Sequence, residues 1–194
     1  MSTAASFRIL VTGGSGFLGG GVVKALLERY PDWRVSVLDI RPPSDPSVVE
    51  RLEHFFQADI TSADSVRVVF AGYSPDLVLH TAGFVPYRNA RYSKSQRDWE
   101  RVKAVNVDGT KHVLDASLAN GCRKFVYTSS CTVAIDDLER DYYYVDEKVP
   151  IGFATLHYGK SKAIAGSTSS TLGTRKRVLL PAPSDHAPSS AQGM

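Results

Sequence analysis

Two cysteines in 194 residues, Cys122 and Cys131, are too few for a disulfide scaffold and have no metal-ligand spacing, so no metal is expected. They read as free thiols of a reducing compartment. No apolar run approaches the length of a membrane-spanning helix, and the opening MSTAASFRIL lacks the charged and apolar regions of a secretory leader. Charge of one sign is lacking too. The 23 Lys and Arg against 20 Asp and Glu leave +3, scattered along the chain, with only a short run at 175–177. That gives no electrostatic footprint for nucleic acid. A hydrophobic fraction of 43% and a charged fraction of 22% are those of a soluble globular chain of one domain. The expectation is a cytoplasmic protein.

Against these absences stands a concentration of glycine near the start. Over residues 7–30, FRILVTGGSGFLGGGVVKALLERY, β-forming residues Ile9, Leu10 and Val11 stop at a glycine cluster. From Phe17 apolar residues recur at helical spacing through Leu18, Val22, Val23, Leu26 and Leu27. Gly13, Gly16 and Gly19 space the turn as GxxGxxG, which serves a tight turn, close approach of a pyrophosphate to the backbone, and close packing of helix on strand. The start of the helix then offers unpaired N–H groups to phosphates. The next apolar run, 35–38, ends on Asp39, twenty residues after Gly19, where a dinucleotide site needs a carboxylate for ribose hydroxyls. A carboxylate there repels a 2′-phosphate and so favours NAD over NADP, with Arg41 nearby acting the other way.

Three prolines in 40–47 mark a loop. A short helical segment is expected over 48–53, a third strand over 54–58, and a helix from Thr61-Ser62 and Asp64 to about Gly72. A buried fourth strand, 77–80, leads to Thr81-Ala82-Gly83; an ill-defined polar stretch, 84–97, precedes a long helix over 98–120 and a fifth strand, 124–128. Alternating strands and helices with near-continuous apolar strands indicate a doubly wound parallel α/β sheet of Rossmann type. Ligands bind beyond the carboxyl ends of such strands, where Gly13, Asp39, Asp59, Gly83 and Ser129-Ser130 would lie.

Tyr158 and Lys162 are four apart in HYGKSK and share a face if that segment is helical. The hydroxyl cluster Thr128-Ser129-Ser130 sits where the fifth strand should end. Together these segments resemble the extended short-chain dehydrogenase/reductase superfamily over residues 7–165: TGGSGFLG at 12–19, DI at 59–60, HTAG at 80–83, YTSSCTV at 127–133 and YGKSK at 158–162. Within it, HTAG, NVDGTKHVLDAS at 106–117 and VDEKVP at 145–150 resemble the 3β-hydroxysteroid dehydrogenase group, including the fungal-type sterol-4α-carboxylate 3-dehydrogenase (decarboxylating).

The resemblance implies hydride transfer from a secondary alcohol, the 3β-hydroxyl of a steroid or sterol, to NAD. Tyr158 would be the base, Ser130 would hold the substrate oxygen, and Lys162 would bind the nicotinamide ribose and lower the tyrosine pKa. Cofactor contacts fall to Gly13, Gly16, Phe17, Leu18, Gly19, Asp39, Asp59, Ile60, Ala82, Gly83, Asn106, Tyr158 and Lys162. Asp59 reads either as an adenine contact or as a helix cap, and Asn106 either as an organiser of the active-site backbone or as a tolerated surface residue. His80 reads as a satisfied strand residue rather than a catalyst. Tyr142, Tyr143 and Tyr144 either line a hydrophobic entrance or pack on the core. Relatives imply pairing as a homodimer through the long helices, and a peripheral seat at the endoplasmic reticulum. A nucleotide-sugar epimerase or reductase of the same fold, or a catalytically silent NAD-binding protein, are the alternatives.

The resemblance ends early. Family members continue well beyond their Tyr and Lys, whereas residues 166–194 hold six Ser, three Thr, three Pro and three Gly and no aromatic residue. That composition predicts a disordered tail after an NAD-binding domain of 1–165, with a sheet incomplete at its C-terminal side. A change of reading frame or splicing near Gly166, or a naturally short isoform, would each produce it.

Overall fold

The structure, a computed structural model, describes residues 6–122, 124–135, 141–144, 146 and 148–171. Five parallel strands form one sheet in the order β3-β2-β1-β4-β5. They are β1 (Arg8–Thr12), β2 (Arg34–Asp39), β3 (Phe55–Gln57), β4 (Leu77–His80) and β5 (Lys124–Tyr127). The order reverses direction beside β1, the point at which the carboxyl ends of the strands open a crevice.

Alternation along each strand divides the core between the two faces. Leu10, Leu38, Val78 and Phe125 pack with Val66, Phe70, Val113 and Leu114 on one side. Ile9, Val11, Val35 and Val37 pack with Val23 and Leu27 on the other. Each such side chain contributes about 1.5–3 kcal/mol by leaving water. Helix α1 (Phe17–Arg29) covers the second face, and α3 (Ala63–Gly72) and α5 (Thr110–Ala119) cover the first.

Several boundaries differ from expectation. The short helix α2 (Pro46–Val49) starts earlier because Asp45 accepts the Ser47 N–H at its start. The third strand shrinks to three residues. The polar stretch after β4 holds a 3-10 turn, Arg88–Tyr92. The long helix begins at α4 (Gln96–Lys103), because Ser95 Oγ accepts the Asp98 N–H at 3.2 Å and so caps it. It then passes through a π-helical turn, Ala104–Gly109, before α5. After β5 come the short α6 (Thr132–Ile135) and α7 (His157–Thr171).

Helix α7 carries the boundary expected at 165/166 inside it. The hydroxyls of Ser167, Thr168 and Ser169 each donate to the carbonyl four residues back, on Ala163, Ile164 and Ala165. Thus a Ser/Thr-rich stretch continues the helix to Thr171, where composition predicts disorder. The remainder of the expected tail, with the basic run at 175–177, lies outside the described residues.

Candidate active site

The glycine turn is built by exclusion. Gly13 has φ +70°, and a Cβ on it would stand 2.6 Å from the Ala82 Cα. A Cβ on Gly19 would collide with the Gly13 carbonyl oxygen and the Thr81 hydroxyl. Gly16 differs: its own added Cβ would meet only the Gly13 oxygen at 3.2 Å, and it caps α1 with no side-chain bond. Two glycines therefore let β1, β4 and α1 close together, while the third leaves an open, uncapped helix start. Phe17 and Leu18 present exposed side chains there, so they belong to the mouth of the site and not to the buried stripe, which runs through Gly19, Val23 and Leu27.

Asp39 ends β2 beside this turn. Its carboxylate accepts the Ser15 N–H at 3.1 Å and the Arg41 N–H at 3.3 Å, and the Ser15 hydroxyl donates to the Arg41 carbonyl at 2.7 Å. The glycine turn and the loop after β2 are thus one hydrogen-bonded unit. Asp59 is exposed and makes its own local bonds. Its Oδ1 accepts the Thr61 N–H and hydroxyl, both at 2.8 Å, while Ser62 caps α3 by accepting the Ser65 N–H. Ile60 points into the core, where Gly109 leaves room for it.

On the other side of β1, the loop after β4 meets the π-helical turn. Asn106 is buried, which removes the surface reading. Its Oδ1 accepts the Phe84 N–H at 2.7 Å, and its Nδ2 donates to the Phe84 carbonyl at 2.9 Å and to Ser161 Oγ at 3.0 Å. Ser161 in turn donates to the Tyr158 carbonyl at 2.7 Å. One amide therefore holds a loop and the first turn of α7 together. Such π-turns recur at functional sites because the extra residue re-aims one side chain.

Lys162 is only 4% exposed, and among the described residues its ammonium makes no ion pair. Its Nζ donates to the Thr128 carbonyl at 3.0 Å and stands 4.9 Å over the Tyr127 ring. Burial pulls its pKa down to about 8. A Cβ on Gly83 would come within 3.3 Å of that Nζ and 3.4 Å of Asn106 Oδ1, so the absence of a side chain at Gly83 lets the loop after β4 pack closely on both groups. Ser130 Oγ, in the loop after β5, accepts the Thr132 hydroxyl at 2.9 Å. Tyr158, on the first turn of α7, is half-buried, and burial first and the neighbouring Tyr158 second push the Tyr127 hydroxyl pKa up.

His80 is fully buried and doubly paired, to Thr12 at 2.7 Å and Thr110 at 3.0 Å, as a satisfied strand residue should be. Tyr143 and Tyr144 are exposed and do not pack on the core. Ser161, Thr110 and Tyr127 were not singled out by spacing: the signal for Ser161 lay within YGKSK, but the π-turn that meets it has no sequence pattern. A cleft lined by Ser6, Arg8, Arg34, Ser74 and Asp76 opens at the amino ends of the strands and holds none of the expected residues. No helix among the described residues is long and apolar enough to cross a membrane, and no described His, Cys, Asp and Glu cluster could hold a metal ion.

Residues 10–169 match the sequence profile of the 3-beta hydroxysteroid dehydrogenase/isomerase family. The mouse 3 beta-hydroxysteroid dehydrogenase type 7 is 35% identical over 166 residues, 80% of this chain and 42% of that protein. UDP-glucose 4-epimerase of Erwinia amylovora is 32% identical over 79% of this chain and 45% of its own length. A short-chain dehydrogenase/reductase superfamily protein of Agrobacterium tumefaciens, solved with bound NAD, has TM-score 0.69 and 29% identity, covering 89% of this chain and 48% of that one. UDP-glucose 4-epimerase of Thermus thermophilus in complex with NAD has TM-score 0.70 and 27% identity, covering 86% and 51%. The chain spans less than half the length of the first curated relatives it matches.

Proposed function

Because this chain belongs to the 3-beta hydroxysteroid dehydrogenase/isomerase family, we propose that it is an NAD-dependent oxidoreductase acting on the 3β-hydroxyl of a steroid or sterol. The supporting observation is Lys162: a buried cation, one helical turn after Tyr158, fixed on the Thr128 carbonyl beside Ser130 and packed against Gly83. A lone buried ammonium is costly to keep, and a ribose and a developing phenolate are the partners that would repay it.

The residues present fit the cofactor. Gly16 leaves the start of α1 uncapped and open for a pyrophosphate, and Asp39 faces the same turn for a ribose. Ala82 and Gly83 would flank the cofactor on the β4 side, Phe17 and Leu18 would offer backbone N–H groups, and Asp59 and Ile60 would border the adenine. NAD supplies the hydride acceptor. Tyr158 takes the hydroxyl proton as the carbinol carbon loses its hydride and becomes a carbonyl carbon, while Ser130 donates to the substrate oxygen. Lowering a tyrosine from about 10 to about 7 requires roughly 4 kcal/mol. An ammonium about 4 Å away contributes about that at an effective dielectric near 20. With its own pKa near 8, Lys162 is mostly charged at pH 7 and can supply it.

The test is an NADH fluorescence titration with thermal unfolding on the 194-residue chain, followed by turnover of a 3β-hydroxysteroid by wild type and Tyr158→Phe. Saturable binding, a raised melting temperature and turnover lost only in the variant support the reading. Equal turnover in Tyr158→Phe refutes the base. Binding of NADH with protection by UDP-sugars and no steroid turnover would replace the substrate, and binding with no turnover at all would leave a cofactor-binding protein.

A further inference from the structure

His80, the last residue of β4, has no exposed surface, and no step above uses it. Its two ring nitrogens face threonines from different elements, Nδ1 the Thr12 hydroxyl of β1 and Nε2 the Thr110 hydroxyl of α5. The Thr110 hydroxyl has a single proton, and it is given to the Asn106 carbonyl oxygen at 2.7 Å. Thr110 therefore meets Nε2 as an acceptor, Nε2 carries the hydrogen, and Nδ1 accepts from Thr12. Phe125 and Tyr127 flank the ring at 5.6 and 6.0 Å, and Lys162 is the charged group that acts on it. Burial first and that cation second hold the imidazole neutral, with a pKa of about 3.

We propose that His80 is a positioning residue: its neutral Nε2–H form fixes the Thr110 hydroxyl on the Asn106 carbonyl, and so sets the π-helical turn from which Asn106 holds the Phe84 segment and Ser161. The path is continuous on hydrogen bonds of 2.7–3.0 Å: Thr12 to His80, His80 to Thr110, Thr110 to Asn106, Asn106 to Phe84 and Ser161, Ser161 to the Tyr158 carbonyl. Thr12 also precedes Gly13, so the glycine turn and the helix carrying Tyr158 and Lys162 are registered to one another through this ring. Its consequence for turnover rests on the function proposed above; its geometry does not.

The experiment uses the full chain and needs no activity. Nitrogen-15 NMR of the wild-type imidazole should show the Nε2–H tautomer, unchanged from pH 8 to pH 5. Amide hydrogen exchange at Phe84, whose N–H donates to Asn106 Oδ1, should accelerate about tenfold in Thr110→Val and return to within about twofold of wild type in Thr110→Ser, with the Thr81 amide, which donates to the Thr12 carbonyl of β1, unchanged in both. An Nδ1–H tautomer, a ring titrating at its ordinary pKa, or wild-type exchange at Phe84 in Thr110→Val would each overturn the proposal. The tautomer measurement decides it alone if the valine variant does not fold. Failure of the wild type to bind NADH would remove the functional reading and leave this test intact.

Discussion

The ammonium of Lys162 rests 4.9 Å over the ring of Tyr127, whose own hydroxyl donates to the Lys162 carbonyl oxygen at 3.4 Å. The tyrosine thus braces the lysine at both ends, one turn of helix apart from its charge. This arrangement stabilises a cation that the fold otherwise penalises. The folded-state pKa of Lys162 is lowered from 10.5 to about 8, so the unfolded chain binds its proton more tightly. The penalty is complete below pH 8, about 3 kcal/mol, and disappears as pH rises to 10.5. Lys162→Met should therefore be at least as stable as wild type at pH 7, with the Thr128 carbonyl it strands costing back about 1–3 kcal/mol. The gap should change in favour of wild type between pH 8 and 10.5. Urea unfolding at several pH values checks this, and a gap independent of pH would refute it.

Acid should weaken the fold through His80. Its pKa falls from 6.5 unfolded to about 3 folded, so the stability it supports is complete above pH 6.5. Below that the unfolded chain takes up a proton first, and stability drops by about 1.4 kcal/mol per pH unit toward pH 3. Between pH 6.5 and 5 the loss is about 2 kcal/mol. His80→Phe, which removes the titration but strands two hydroxyls, should be less stable at pH 7 and show a flatter slope across this window. Equal slopes in denaturant melts would show that His80 is not the titrating group.

The sheet was legible from the chain because each strand is a short apolar run ending at a turn signal, and Gly13 and Asp39 fall at the carboxyl ends where two of those runs stop. The Tyr158 and Lys162 pairing was legible because i and i+4 share a helical face. What was not legible depends on contacts distant in sequence. The π-turn at Ala104–Gly109 exists where Asn106 meets Phe84 and Ser161, 22 and 55 residues away, and nothing in the local pattern announces it. Phe17 and Leu18 matched a helical stripe but are exposed in the first turn of α1, whereas Val23 and Leu27 are buried. The run from Gly166 to Thr171 has the composition of a tail, yet it follows a helix already nucleated against β5, where each further residue costs far less to order than a new helix would.

Asp39→Asn should reduce the preference for NADH over NADPH. The asparagine oxygen can still accept the Ser15 or Arg41 N–H, so the turn should persist while the charge that repels a 2′-phosphate is gone. The ratio of the two dissociation constants should narrow by about tenfold, equivalent to about 1.4 kcal/mol. Fluorescence titration with each cofactor measures it, and an unchanged ratio would mean that Asp39 does not face the ribose.

Gly166→Ala separates the helix observed at this position from a tail that merely begins there. In the middle of α7 a glycine costs about 0.5–1 kcal/mol relative to alanine, because the unfolded chain loses more freedom on becoming helical. The added Cβ has room: it would lie 3.6 Å from the Tyr127 Cε1, an ordinary contact on the ring that supports Lys162. The substitution should raise the melting temperature by roughly 2–4 °C and leave NADH affinity unchanged. Gly19→Ala is the contrast, since its Cβ would collide with the Gly13 carbonyl oxygen and should destabilise the turn and abolish cofactor binding. If Gly166→Ala left the melting temperature unchanged, α7 would end before Gly166 in solution, and the hydroxyl bonds of Ser167, Thr168 and Ser169 would contribute nothing to holding Lys162 in place.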